Sequence, residues 1–133
     1  MTIKGVGVDL VDIARFEGQL ASTNGLLERL FAADERETDA QLKPATLAGK
    51  FAAKEAFIKA VGGGSGMNWH DVRVIKEASG RPQLVVSGET AAICESAGIV
   101  RFHLSIAHDG GMAIAYVIAE GNNGEWKSGG AHA

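Results

Sequence analysis

The segment from Pro44 to Val61 leaves this chain the least freedom, because it reads as one long helix with a marked start and a marked stop. Proline is harmless in a first turn, where its missing N–H has no intrahelical acceptor. At the other end Gly62-Gly63-Gly64-Ser65-Gly66 cannot continue a helix. Within it, Phe51-Ala52-Ala53-Lys54-Glu55-Ala56-Phe57-Ile58-Lys59-Ala60 sets an acid among apolar residues with a lysine one turn on. At about 100° per residue, Leu47, Phe51 and Ile58 define one face, Glu55 lies at its edge and Lys59 about 40° further round. A carboxylate and an ammonium offered together at a rim of the core suit a metal-bound phosphate ester.

Shorter elements surround this helix. Residues 3 to 10 predict a buried strand through Val6, Val8 and Leu10, ending near Asp9. A helical pattern begins at Ile13, with Asp12 where an N-cap belongs, and Asn24-Gly25 breaks it. A short helix over Leu26 to Phe31 follows, then another after Asp34, whose Asp34-x-x-Glu37 spacing has the form of a capping box. Val72, Val74 and Ile75 predict a strand, Gly80-Arg81-Pro82 a turn, and Leu84-Val85-Val86 the partner strand. Ser87-Gly88-Glu89 starts a helix carrying Ala92, Ile93 and Ala97 to a stop at Gly98. Phe102 to Ala107 and Met112 to Ala119 read as a hairpin about Asp109-Gly110-Gly111. The expected class is α+β, a small antiparallel sheet packed with the long central helix. One domain is expected over residues 1–120, with a mobile, glycine- and asparagine-rich tail at 121–133.

Charge and cysteine content narrow the function classes. A net charge of -3 and a pI near 5.8 supply no basic stripe, so nucleic acid is not an expected partner and any polyanion site must be local. Cys94 is the one cysteine; it cannot close an intrachain disulfide, and no Cys/His spacing resembles a zinc site, which fits a reducing cytoplasm. No apolar run approaches the ~18 residues of a membrane span, and no leader precedes Ile3, so a cytoplasmic protein without membrane attachment is expected. Eighteen glycines and 6% aromatic residues imply a small-residue core that would gain from self-association.

Candidate chemistry gathers on three stretches. Asp9 sits among aliphatic residues of the first strand, where a carboxylate is costly unless it is paired, metal-bound or capping the following turn. Asp9 and Glu55 together could supply the one or two carboxylates that magnesium takes, phosphate and water filling its other positions. An i,i+4 ion pair on a solvated face is the plain alternative for Glu55 and Lys59. The glycine run at Gly62 lets backbone amides approach a phosphate, yet a helix C-terminus has the wrong dipole for an anion, so Lys50, Lys54 and Lys59 would provide most of the positive charge. Ser105 and His108 differ by an odd number on a strand and point to opposite faces, which argues against a serine-histidine hydrolase and for a polar strand end lining a ligand site.

The blocks Gly5-Val6-Gly7-Val8-Asp9-Leu10-Val11-Asp12-Ile13 with Arg15, Lys50-Phe51-Ala52-Ala53-Lys54-Glu55-Ala56 with Lys59, and Ser105-Ile106-Ala107-His108 are shared, in order and spacing, with one family. Over about residues 3 to 119 the chain resembles the holo-acyl-carrier-protein synthases, the short bacterial phosphopantetheinyl transferases. The resemblance implies the phosphopantetheinyl transferase fold and transfer of 4′-phosphopantetheine from coenzyme A to a serine of apo-acyl carrier protein, releasing 3′,5′-ADP, in support of fatty acid biosynthesis. It implies that Asp9, Glu55 and Lys59 are catalytic, Asp9 and Glu55 holding Mg2+ and Lys59 and Gly62 meeting the phosphates. It further implies a homotrimer in which Lys50, Arg81, Pro82, His103, Ser105 and His108 serve the nucleotide from a neighbouring subunit, while Arg15 and Arg29 meet the acidic carrier. Lys50 stands where the family often has arginine, which keeps the charge and loses the bidentate fork. A non-catalytic module binding coenzyme A or the carrier, and a metal-dependent hydrolase of nucleotide pyrophosphates, are the rival classes.

Overall fold

The structure is a computed structural model that describes residues 1–64 and 66–122. Strand β1 (Thr2–Asp12) leads into α1 (Ile13–Ser22) and the short α2 (Leu26–Leu30). A 3-10 turn at Ala33–Glu35 precedes the long α3 (Pro44–Ala60). A second such turn, Trp69–Asp71, enters the hairpin β2 (Val72–Lys76) and β3 (Pro82–Val86). Helix α4 (Gly88–Ser96) then leads to β4 (Ile99–Asp109) and β5 (Met112–Gly121). Two antiparallel sheets result, β1-β5-β4 and β2-β3, and α3 lies across the first. The α+β expectation holds, with β4 beginning three residues earlier than expected at Ile99. All but two of the expected tail residues lie outside the described ones.

The sheet meets α3 through residues with almost no side chain. Ala113, Ala115, Val117 and Ala119 of β5 are fully buried against it. On β1 the facing positions are Gly5 and Gly7, where a Cβ would lie 1.8 Å from the carbonyl oxygen of Ala60 or Ala56. Strand and helix backbones therefore touch, and only glycine permits it. This corrects the expected orientation of β1: Val6, Val8 and Leu10 are 45%, 43% and 60% exposed, because strand alternation turns them away once the glycines face the helix. Opposite them on β5 stand Ile118, Tyr116 and Ile114, so the outer face of the sheet is apolar as well.

Helix α3 is also more enclosed than its pattern suggested. Its most buried positions, Ala48, Ala52, Ala53, Ala56 and Phe57, lie beside the expected stripe, and Phe51 and Ile58 are only half-buried. Phe51 stacks at 4.8 Å on Phe16 of α1 and meets Trp69 at 5.7 Å, which seats α1 on the helix. Asp12 caps α1 as expected, its Oδ1 accepting from the Arg15 amide at 3.0 Å, worth about 1 kcal/mol.

The helix expected after Asp34 does not form. Glu35 turns inward instead, wholly buried: its Oε1 accepts from Ala32 N and from Lys54 Nζ at 2.7 Å, and its Oε2 from Val74 N at 2.9 Å. Gln41 Oε1 accepts from the amides of Glu37 and Thr38, so local side-chain bonds fold residues 36–43 into turns. The proposed box is absent because Asp34 pairs with Arg73. In α4 the buried side chains are Thr90 and Cys94 rather than Ala92. Its start is capped from outside by Asp71, whose Oδ2 accepts from Thr90 N and Oγ1.

Candidate active site

The glycine contact places Asp9. Gly5, Gly7, Asp9 and Val11 share one face of β1, so the strand that touches α3 at Ala60 and Ala56 brings Asp9 beside the same helix. Lys59 closes the corner, donating to Val8 O and to Asp9 Oδ1, both at 3.0 Å. Its ammonium remains 55% exposed and the aspartate 19%. Glu55 is half-buried one turn earlier, and its carboxyl is pushed up first by burial, then by the neighbouring Asp9 charge, with Lys59 pulling the other way. Two acids close enough to feel each other and one exposed ammonium thus share a corner with solvent access. Asp9 also lines a cavity of about 190 Å³ with Asp12, Arg15, Phe16, Gln19 and Phe51.

Among the described residues no group of three or more His, Cys, Asp or Glu forms a metal cage. The Asp9–Glu55 pair suits a hard cation that keeps water and substrate oxygens in most positions. Burial first and the Asp9 charge second disfavour the Glu55 carboxylate, and such a cation would offset both.

Other expected residues fall elsewhere on the chain. Lys50 and His108 face a cavity of about 200 Å³ that also touches Pro82, Thr46 and Lys76. Arg81, Pro82 and His103 line another of about 210 Å³, and His103 Nε2 lies 3.1 Å from Glu120 Oε1. Ser105 points to the outer sheet face opposite Tyr116, whereas His108 turns inward to the Ala45 carbonyl at 2.9 Å, as their parity required. Gly62, at φ +91°, gives its amide to Lys59 O, and Gly63 gives its own to Ile58 O. Those amides finish the helix rather than wait for an anion. Arg15 and Arg29 are exposed, on α1 and α2.

One expected source of charge is overturned. Lys54 is fully buried, bonded to Glu35 and to Trp69 O at 3.0 Å and set over the Phe31 ring, so it offers nothing to a phosphate at the surface. Burial lowers both Lys50 and Lys54 from the usual lysine value, while Glu35 raises them. Two residues escaped the sequence reading. Glu35 is one; two lysines in a helix of buried alanines signal the need for a buried acid. Gly49 is the other: a Cβ there would stand 2.9 Å from His108 Nε2, and a glycine inside a helix is the signal for such an approach.

Fold and site together define a family. The pattern of the 4′-phosphopantetheinyl transferase superfamily matches residues 5–117, and the chain belongs to it. Its relatives include a holo-[acyl-carrier-protein] synthase of Clavibacter sepedonicus, 47% identical over 119 residues, 90% of this chain and 97% of the relative. A solved complex of the Chronobacterium ammoniagenes acyl-carrier-protein synthase with coenzyme A superposes with a TM-score of 0.78 at 34% identity, covering 90% of this chain and 98% of the other. The Helicobacter pylori holo-[acyl-carrier-protein] synthase in complex with coenzyme A gives 0.76 at 32% identity, covering 86% and 99%. No helix among the described residues is long and apolar enough to cross a membrane.

Proposed function

We propose that this chain transfers 4′-phosphopantetheine from coenzyme A to a serine hydroxyl of an apo-acyl carrier protein, releasing 3′,5′-ADP, in the cytoplasm and in support of fatty acid biosynthesis. The observation that carries this reading is the convergence of Asp9, Glu55 and Lys59 from β1 and α3 at one solvent-facing corner. Asp9 and Glu55 would hold Mg2+, which when bound supplies neutralisation of the diphosphate charge. The serine oxygen attacks the phosphorus that carries pantetheine, and the bond to the 3′,5′-ADP oxygen breaks. Lys59, tethered to Asp9 but largely exposed, can swing its ammonium onto the transferring and departing phosphates. Glu55 itself, or a water held by the cation, would take the serine hydrogen.

Recognition is divided between separate regions of the chain. Lys50, Arg81, Pro82, His103, Ser105 and His108 would receive the nucleotide of the donor bound at a neighbour's acidic corner, with Gly62 beside the phosphates. The outer sheet face supports such pairing of copies. Val8, Leu10, Ile114 and Tyr116 are exposed together, and an apolar sheet face of this kind is a surface that association would cover. A homotrimer follows as the proposed assembly. Arg15, beside the Asp9 cavity, and Arg29 would meet the acidic carrier.

The test is intact-mass spectrometry of an apo-carrier incubated with the protein, coenzyme A and magnesium. A phosphopantetheine mass gain is expected. A carrier that binds unmodified would favour a binding module, and 3′,5′-ADP released equally fast without carrier would favour a hydrolase.

A further inference from the structure

Two lysines one turn apart on α3, Lys50 and Lys54, both reach Glu35, and they do so differently. Lys54 Nζ takes the carboxylate at 2.7 Å, whereas Lys50 Nζ takes only the main-chain carbonyl of the same residue at 3.0 Å. The other carboxylate oxygen holds the amide of Val74, whose strand forms the wall of the cavity facing Lys50. A carbonyl orients an ammonium without cancelling its charge, and a carboxylate cancels it. We infer that Lys54 and Glu35 are positioning residues for the nucleotide cavity: Lys54 occupies the Glu35 carboxylate, which leaves the buried Lys50 at the cavity wall with no carboxylate bonded to its ammonium, so that a phosphate of the donor can take it.

The arrangement gives the buried pair a purpose that stability alone does not. Two apolar residues of the same volume would fill the space about as well. They would not hold the Glu35 carbonyl against Lys50 and the carboxylate against β2 at once. Removing Lys54 alone leaves an uncompensated acid on the residue whose carbonyl Lys50 already bonds, and draws that ammonium onto the carboxylate and away from the donor.

This inference rests on the proposed role of Lys50, and a double-mutant cycle tests it. Lys54→Met should raise KM for coenzyme A about tenfold, the size of one charge-assisted hydrogen bond, with kcat nearly unchanged. In the Lys50→Met background the same change should add nothing. An equal rise in both backgrounds, or a fall in kcat alone, would overturn the inference. Should Lys54→Met not fold, the pair Glu35→Gln with Lys54→Met removes the stray acid as well, and KM should stay near that of the parent. A KM there as high as in Lys50→Met would again overturn it. Lys50→Met by itself distinguishes the two levels: with KM unchanged, the nucleotide role of Lys50 fails and this inference with it, while mass transfer to the carrier continues.

Discussion

Replacing Gly7 with alanine is the sharpest test of how the corner is built. The added Cβ would stand 1.8 Å from Ala56 O, and 2.8 Å from Ala56 C and from Ala60 N, all backbone atoms of α3 that no rotamer change can move. Ordinary van der Waals contact at a Cβ begins near 3.4 Å, so strand and helix must part by roughly 1.5 Å. Overpacking costs roughly 1–3 kcal/mol, and this case belongs at the upper end because two regular elements must both yield. With a urea slope of about 1–3 kcal/mol/M, the midpoint should fall by about 1 M or more at fixed protein concentration. The same parting would stretch Lys59 from Val8 O and Asp9, so turnover should fall as well. Gly18→Ala is the control: nothing lies within 4 Å of its Cβ, and inside α1 alanine should stabilise by about 0.5–1 kcal/mol. A Gly7→Ala protein with an unchanged midpoint and unchanged turnover would refute the backbone contact.

Other outcomes follow from the same corner and from the sheet behind it. Because the Glu55 carboxyl is raised in the folded state, it binds a proton more tightly there; its contribution to stability is full below the ordinary value of 4.5 and is lost as pH climbs through the folded value. Glu55→Gln should therefore, in chelator-treated protein, lose less stability between pH 4 and pH 7 than the parent, by denaturant titration, while transfer is abolished. Lys59→Ala should cost less than about 1 kcal/mol in stability, since its ion pair is exposed, yet lower kcat on the order of a hundredfold; a loss confined to KM would contradict its role. Tyr116→Glu, on the outer sheet face, should leave the circular dichroism intact, yield monomers by sedimentation and suppress transfer. An active monomer would refute the divided site.

Local sequence signals were enough for most elements and marked Asp9, Glu55 and Lys59 as candidates, but no local signal brings β1 to α3. Pro44 and the glycine run bounded α3 to within a residue, and Asp12 capped α1 as its position required. Parity alone separated Ser105 from His108. What escaped were choices made by distant partners. The valines of β1 look like a core face until Gly5 and Gly7 are seen to need the helix backbone; hydrophobicity favoured one face and sterics chose the other. Asp34-x-x-Glu37 was a sound local motif, defeated when Asp34 paired with Arg73, 39 residues away. No window of a few residues contains both ends of that pair.

The two faces of β1 also tie the chain's chemistry to its company. An insertion or deletion of a single amino acid within Thr2–Asp12 would exchange the positions beyond it, thrusting valines at α3 and showing glycines to the outside. Drift in this stretch thus faces a double veto, and an altered assembly would have to arise by substitution, one outward position at a time.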